Sequence, residues 1–203
     1  VRQECFKRLE QICRNAHATF QRLVTDLRGK DFGDWTEDEK ERYRGLHDLI
    51  DFIITKVYFA SGGAEHIRSS SGDKKTIALG KDERAQFWQE SQGVLDAVAE
   101  TGFADVTYRL VETLEFLLPY DPEGVFLTLG KAVQSGRQDG FQYEAMAVSN
   151  IVKIVETVLG QYPYLLRERE ACRVAMVEIL DTFVEAGWEA AHRLTYRLDQ
   201  IYR

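Results

Sequence analysis

The ionisable side chains best placed to contact a ligand lie in residues 61–80, a stretch that lacks helical periodicity. Five of its ionisable residues, close together in sequence, are the candidates: the carboxylate of Glu65, the imidazole of His66 and the cationic groups of Arg68, Lys74 and Lys75. Groups of these types can move a proton or bind an anion. We therefore predict that these five residues contact a ligand or a partner. A flexible connection of the same composition is the alternative, because long connections are either functional or mobile.

The same segment ends like a phosphate-binding loop but lacks the glycines that such a loop needs. Lys75-Thr76 supplies the last two positions of the motif, whereas Ser69 and Lys74 occupy the two glycine positions. The backbone could not wrap closely around a phosphate without those glycines. The sequence therefore predicts no nucleotide cofactor at this place.

Patterns of metal and nucleophile sites are also incomplete. Glu189 and His192 form one Glu-x-x-His pair on a helical stretch, but a di-iron bundle needs two such pairs and two more glutamates. The sequence has no His-Glu-x-x-His, no Cys-x-x-Cys and no Gly-x-Ser-x-Gly motif. We predict no catalytic residue, no metal site and no cofactor.

Composition limits the classes of function further. The chain has 203 residues, a net charge of −7, 44% hydrophobic residues and 29% charged residues, which indicates a folded domain. The acidic balance argues against a dedicated nucleic-acid or anionic-membrane binder. No apolar run is long enough to span a bilayer. Three cysteines inside helical patterns favour a reducing compartment, so we expect the protein in the cytoplasm.

The elements that carry these residues are predicted to be helices throughout. Residues 1–60 contain two long amphipathic patterns, and Thr36 with Glu39 forms a capping-box sequence at the start of the second. This part is expected to be an antiparallel helical hairpin. Residues 61–80 form the loop, and residues 81–203 are expected to form three helix pairs packed with the hairpin as one domain.

The three predicted helix pairs span about residues 81–118, 121–160 and 163–202. Asp121 and Pro122 are a typical N-cap and first helical residue, and one helix is predicted from 163 to about 186. The predicted fold class is therefore all-α, with eight helices and no strand. Whether the pairs form an α-solenoid-like stack or a helical bundle is left open by the sequence.

The lengths of these pairs carry a resemblance to a repeat family. Glycine and proline breaks separate units of close to 40 residues: Gly102, Pro119, Pro122, Gly136, Gly140, Gly160, Pro163 and Gly187. In unit length and helix-turn-helix order, the last 120 residues or so resemble the HEAT and armadillo superfamily of helical repeats. The internal proline and the Asp/Arg ladder of the HEAT pattern are absent. The resemblance implies an extended surface for holding another protein.

A second resemblance concerns three short stretches, residues 118–124, 179–183 and 200–203. They look like the C-terminal helical tails of large bacterial ATP-binding proteins, some of which act in defence against phage. This likeness implies a bacterial origin. Because the chain begins with Val1, we also expect it to be a fragment of a longer protein.

The sequence therefore predicts a non-catalytic scaffold or protein-interaction domain. Its expected partner is another protein or other domains of the same polypeptide. One alternative is a regulatory or sensing region of a bacterial ATP-driven machine, including antiviral defence systems. Another is a helical enzyme that uses residues 61–80 as a lid over its active site.

Overall fold

The computed structural model describes residues 1–63, 79–137 and 144–188, together with Leu194. These residues form eight α-helices, one short 3-10 helix (Phe32–Asp34) and no strand, which confirms the predicted all-α class. In chain order the α-helices are α1 (Arg2–Asp26), α2 (Glu37–Ser61), α3 (Lys81–Ala99), α4 (Ala104–Leu117), α5 (Pro122–Arg137), α6 (Glu144–Gln161), α7 (Pro163–Glu168) and α8 (Glu170–Glu185).

The helices pack in two layers. In the first, which we call layer A, α1 packs on α3, α3 on α5 and α5 on α8. In the second, layer B, α2 packs on α4, α4 on α6 and α6 on α7. Helices that are consecutive in the chain also contact one another across the two layers. The chain therefore alternates between the layers as far as α6, and successive hairpins lie side by side.

One apolar core fills the space between the layers. Leu114 of α4 and Ile151 of α6 have no exposed surface, and Phe126 and Phe183 are equally buried on the layer A side. Burial of apolar side chains is the main term that stabilises such a packing. The helical periodicity of the sequence predicts that Leu114 and Ile151 face the core, and their burial confirms it.

Two predicted helix starts are present. The Thr36 hydroxyl accepts a hydrogen bond from the Glu39 amide (3.2 Å), and the Glu39 carboxylate accepts one from the Thr36 amide (2.7 Å). At α5, the Asp121 carboxylate accepts from the Gly124 amide at 3.0 Å. These local bonds satisfy N–H groups that a helix start leaves without partners.

The predicted single helix from 163 to 186 is wrong. Arg169 takes an extended conformation (φ −112°, ψ 107°) and separates α7 from α8. Its side chain bonds Glu123 of α5 at 3.2 Å, and Arg173 donates to the carbonyl of Arg167 at 3.1 Å. The break moves the chain from layer B to layer A, so tertiary contacts outweigh the local helical preference. Most of the predicted last helix, 188–202, lies outside the described residues.

No helix in the described part of the chain combines the length and the apolar content that a membrane span requires.

Candidate functional site

The five residues predicted to contact a ligand are Glu65, His66, Arg68, Lys74 and Lys75, and all lie outside the described residues. The structure does describe the chain on both sides of them. Gly63 follows α2, and Arg84 lies in the first turn of α3. Both residues line the same cleft, which is the candidate functional site.

This cleft has a volume of about 530 Å³ and lies where α2, α4 and α6 of layer B meet the start of α3. We call it the aromatic cleft after the four rings that line it: Tyr58, Tyr108, Phe116 and Tyr120. Its charged and amide side chains are Arg84, Glu112, Glu115, Asn150 and Lys153.

Helix α4 supplies the largest share of the aromatic cleft. Tyr108, Glu112, Glu115 and Phe116 follow the spacing of one helix face, while Leu110 and Leu114 turn to the core. The same amphipathic pattern that buries α4 therefore places these four side chains on its outer side. Two aromatic rings remain on that side, where a helix usually presents polar groups.

Arg84 is held by two rings of the cleft. Its guanidinium lies 4.6 Å from the centre of the Phe116 ring and 5.8 Å from that of Tyr120. Nη1 donates a hydrogen bond to the Tyr120 hydroxyl at 2.9 Å. The Nε atom is buried without a hydrogen-bond partner, and no described carboxylate lies within ion-pair distance of Arg84. Stacking and one hydrogen bond therefore fix a cation whose charge no carboxylate of the described residues compensates.

The other two cations at the cleft each have an acidic partner. Arg109 stacks on Tyr58 at 5.1 Å and forms an ion pair with Glu112 at 2.7 Å. Lys153 of α6 forms an ion pair with Glu115 of α4. The charges of Arg109 and Lys153 are thus each compensated by a carboxylate.

The pKa values of the phenols of the two tyrosines beside Arg109 are shifted. Burial, followed by the Glu112 carboxylate, raises the pKa of both Tyr58 and Tyr108. Both phenols are therefore protonated at neutral pH and can donate hydrogen bonds. They are poor candidates for a general base, which needs a pKa near the working pH.

Other chemistry is weakly supported within the described residues. Burial raises the pKa of the Cys13 thiol to about 12 and that of Cys172 to about 11. Such thiols are poor nucleophiles because the thiolate is the reactive form. The part of the chain that the structure describes contains no group of three or more metal-ligating side chains.

A second groove, of about 630 Å³, lies on layer A between α3, α5 and α8. Its central polar groups bond one another: Asp96 pairs with Lys131 at 3.0 Å and accepts from the Thr128 hydroxyl at 2.6 Å. This groove is therefore less suited to recognise a charged ligand than the aromatic cleft.

The residues of the aromatic cleft were not predicted from the sequence as a site. Arg84 falls in an ordinary helix start, and Tyr120 falls in the turn before α5. One signal was available, since Tyr108 and Phe116 are aromatic residues on the polar side of α4. That signal alone does not bring α2, α3 and α6 to the same place.

Comparison of the chain with protein-family models, with curated proteins and with solved structures gives no match.

Proposed function

We propose that this chain is a non-catalytic helical interaction domain that holds a partner in the aromatic cleft. The observation that supports the proposal is the composition of the cleft. Four aromatic rings and a stacked arginine line an open depression across several helices. Tyrosine and arginine are enriched among the residues that dominate binding energy at protein interfaces. Rigid aromatic side chains also lose little conformational entropy on binding.

The fold supports this proposal because it fixes the cleft from several sides. Tyr58, Arg84 and Lys153 come from three helices that share contacts through α4 and the common core. A surface built on packed helices keeps its shape before the partner arrives, and this reduces the ordering cost of binding.

We also propose that the side-by-side hairpins are HEAT- or armadillo-like repeats. The predicted units 81–118 and 121–160 correspond to the α3–α4 and α5–α6 hairpins. We propose that the protein acts in the bacterial cytoplasm as part of a longer polypeptide. The partner is then another protein or another domain of that polypeptide, including an ATP-driven one, held in the same cleft.

Site-specific photo-cross-linking in the native host tests the proposal. Tyr108 is replaced by p-benzoylphenylalanine, and Phe32 receives the same residue as the matched control. Phe32 is 50% exposed and its ring lies 6.0 Å from that of Tyr43, whereas Tyr58 of the cleft lies about 22 Å further along α2.

We expect a discrete cross-linked partner from Tyr108 and none from Phe32. A partner domain in the same polypeptide would instead give an internal cross-link, which peptide mass spectrometry identifies. Identical products from both positions, or no product from Tyr108, would refute the proposal.

A further inference from the structure

Arg84 lies in an unfavourable place for a cation whose role is structural. It belongs to the first turn of α3, where the helix macrodipole favours negative charge. No described carboxylate pairs with it, and its buried Nε has no hydrogen-bond partner. A buried donor without a partner destabilises a fold. A negatively charged ligand in the cleft that Arg84 lines would supply the counter-charge that no described residue provides.

The guanidinium of Arg84 has one nitrogen available to a ligand. Nη1 is engaged by the Tyr120 hydroxyl, and the Phe116 ring lies 4.6 Å from the guanidinium carbon. Nε is buried, so Nη2 is the atom that can donate a charge-assisted hydrogen bond to a carboxylate oxygen. Because the hydroxyl bond uses Nη1, Nη2 is not committed to Tyr120.

The charges around Arg84 favour a single negative charge. Arg109 and Lys153 are already paired with Glu112 and Glu115. Only one described cation of the cleft is therefore uncompensated. A carboxylate matches it, whereas a phosphate dianion would bring a second charge close to the two glutamates.

The rings beside Arg84 define what should accompany that carboxylate. Phe116 and Tyr120 border the guanidinium, and Tyr108 lies on the same face of α4. These rings can pack against an aromatic or apolar group next to the anion. We propose that Arg84 binds an aspartate or glutamate carboxylate of a partner peptide, with an aromatic side chain of that peptide on the rings. This inference rests on the proposed interaction function.

The test is an NMR titration of arginine Nε–Hε signals with three probes. They are acetyl-Asp-Phe-amide, its isosteric control acetyl-Asn-Phe-amide, and inorganic phosphate. The Arg84 signal is assigned from its loss in Arg84→Lys. The signal of Arg42, which pairs with Asp38 on the exposed side of α2, is the internal control.

We expect the Asp peptide to shift the Arg84 signal saturably, with an apparent affinity at least about tenfold higher than that of the Asn peptide. The Arg42 signal should change little. An equal response to the Asn peptide would show that Arg84 does not distinguish a carboxylate from a neutral amide. A stronger response to inorganic phosphate, or no saturable shift, would also overturn the inference.

A second experiment separates this inference from the proposed function. The Tyr108 cross-linking is repeated with Arg84→Gln, and circular dichroism confirms that this variant is folded. We expect the cross-linked partner to be reduced at least about fivefold, because the variant retains hydrogen bonding but loses the charge. An undiminished partner product would refute the role of Arg84 while the interaction function stands. A saturable Asp-peptide response without any partner product would refute the interaction function alone.

Discussion

The charged side chains of layer A and those at the aromatic cleft are engaged differently. In layer A, every neighbouring pair of helices is joined by an ion pair: Arg2–Glu90 between α1 and α3, Arg14–Glu100 between α1 and the residue after α3, Lys131–Asp96 between α3 and α5, and Arg137–Glu185 between α5 and α8. In layer B, Lys153–Glu115 likewise joins α6 to α4. At the cleft, however, Arg84 of α3 and Arg109 of α4 lie against aromatic rings, and Arg84 has no acidic partner among the described residues.

The helices of layer A approach one another closely at two glycines. A Cβ atom at Gly130 of α5 would lie 2.9 Å from the Ala175 Cβ of α8, and one at Gly124 would lie 2.8 Å from Trp88 of α3. At the exposed Gly45 of α2, by contrast, a Cβ would meet nothing within 4 Å. The absence of a side chain at Gly124 and Gly130 therefore lets α5 lie close to α3 and α8.

The largest expected effect is the unfolding of both layers together. Leu114→Asp places a charge in the shared core, where it has no partner, and this should cost several kcal/mol against a typical total stability of about 5–15 kcal/mol. We expect the variant to be unfolded by circular dichroism at 25 °C. Leu49→Asp, at an exposed leucine of α2, is the control and should remain folded. If Leu114→Asp melts within one or two degrees of the parent, the core assignment fails.

Glycine substitutions should have effects of opposite sign at the buried Gly130 and the exposed Gly45. Gly130→Ala brings a methyl group against Ala175, and overpacking of this kind costs about 1–3 kcal/mol. Gly45→Ala adds the same methyl group in open space and should stabilise α2 by about 0.5–1 kcal/mol. Urea unfolding of both variants measures the difference. Equal effects of the two substitutions would contradict the close approach of α5 and α8 at Gly130.

We expect the ion pairs of layer A to show a smaller but measurable coupling free energy. Asp96 is 16% exposed, so its bond to Lys131 should contribute about 0.5–1 kcal/mol in a double-mutant cycle. The exposed Glu4–Arg8 pair on α1 is the control and should contribute about 0.3 kcal/mol. Coupling at Asp96 no larger than at Glu4 would mean that the ion pairs of layer A do not join its helices.

The smallest expected effect is a pH dependence at His17 of α1. Burial lowers the pKa of His17 below its ordinary 6.5, although Glu100 opposes the shift. The unfolded chain therefore binds this proton more readily, so the free energy of unfolding falls as pH decreases through 6.5 towards the lower folded pKa. The shifted carboxyl pKa values, at Glu39 and Glu90, lie below 4.5 and act at lower pH.

Denaturant unfolding at pH 7 and pH 5 measures this dependence, with His17→Gln as the comparison. The parent should lose more stability than the variant over this interval. A variant with the same loss would assign the pH dependence to other groups.

Much of the fold could be predicted from local sequence patterns. The period of the apolar residues gave α1 and α2, and the Thr36 and Asp121 caps marked where α2 and α5 begin. These signals are local because a helix bonds its own backbone and buries one face. The break at Arg169 had no such signal, since it contains neither glycine nor proline and the side chain that Arg169 contacts, Glu123, belongs to a distant part of the sequence.

The candidate site was beyond local patterns for a similar reason. Tyr58, Arg84, Phe116 and Lys153 are separated by tens of residues and come from four helices. The residues predicted from composition lie between α2 and α3, outside the described residues. The cleft lies at the two described ends of that segment.

The sequence by itself determined the helical class, the inward face of each long helix and the starts of α2 and α5. These properties depend on residues three or four positions apart. Only the tertiary structure decided which helices form each layer, where Arg169 interrupts a helix and which rings surround Arg84. Contacts between distant residues depend on how the helices pack around one core. Local periodicity does not distinguish between the possible arrangements of the helices, whereas their packing does.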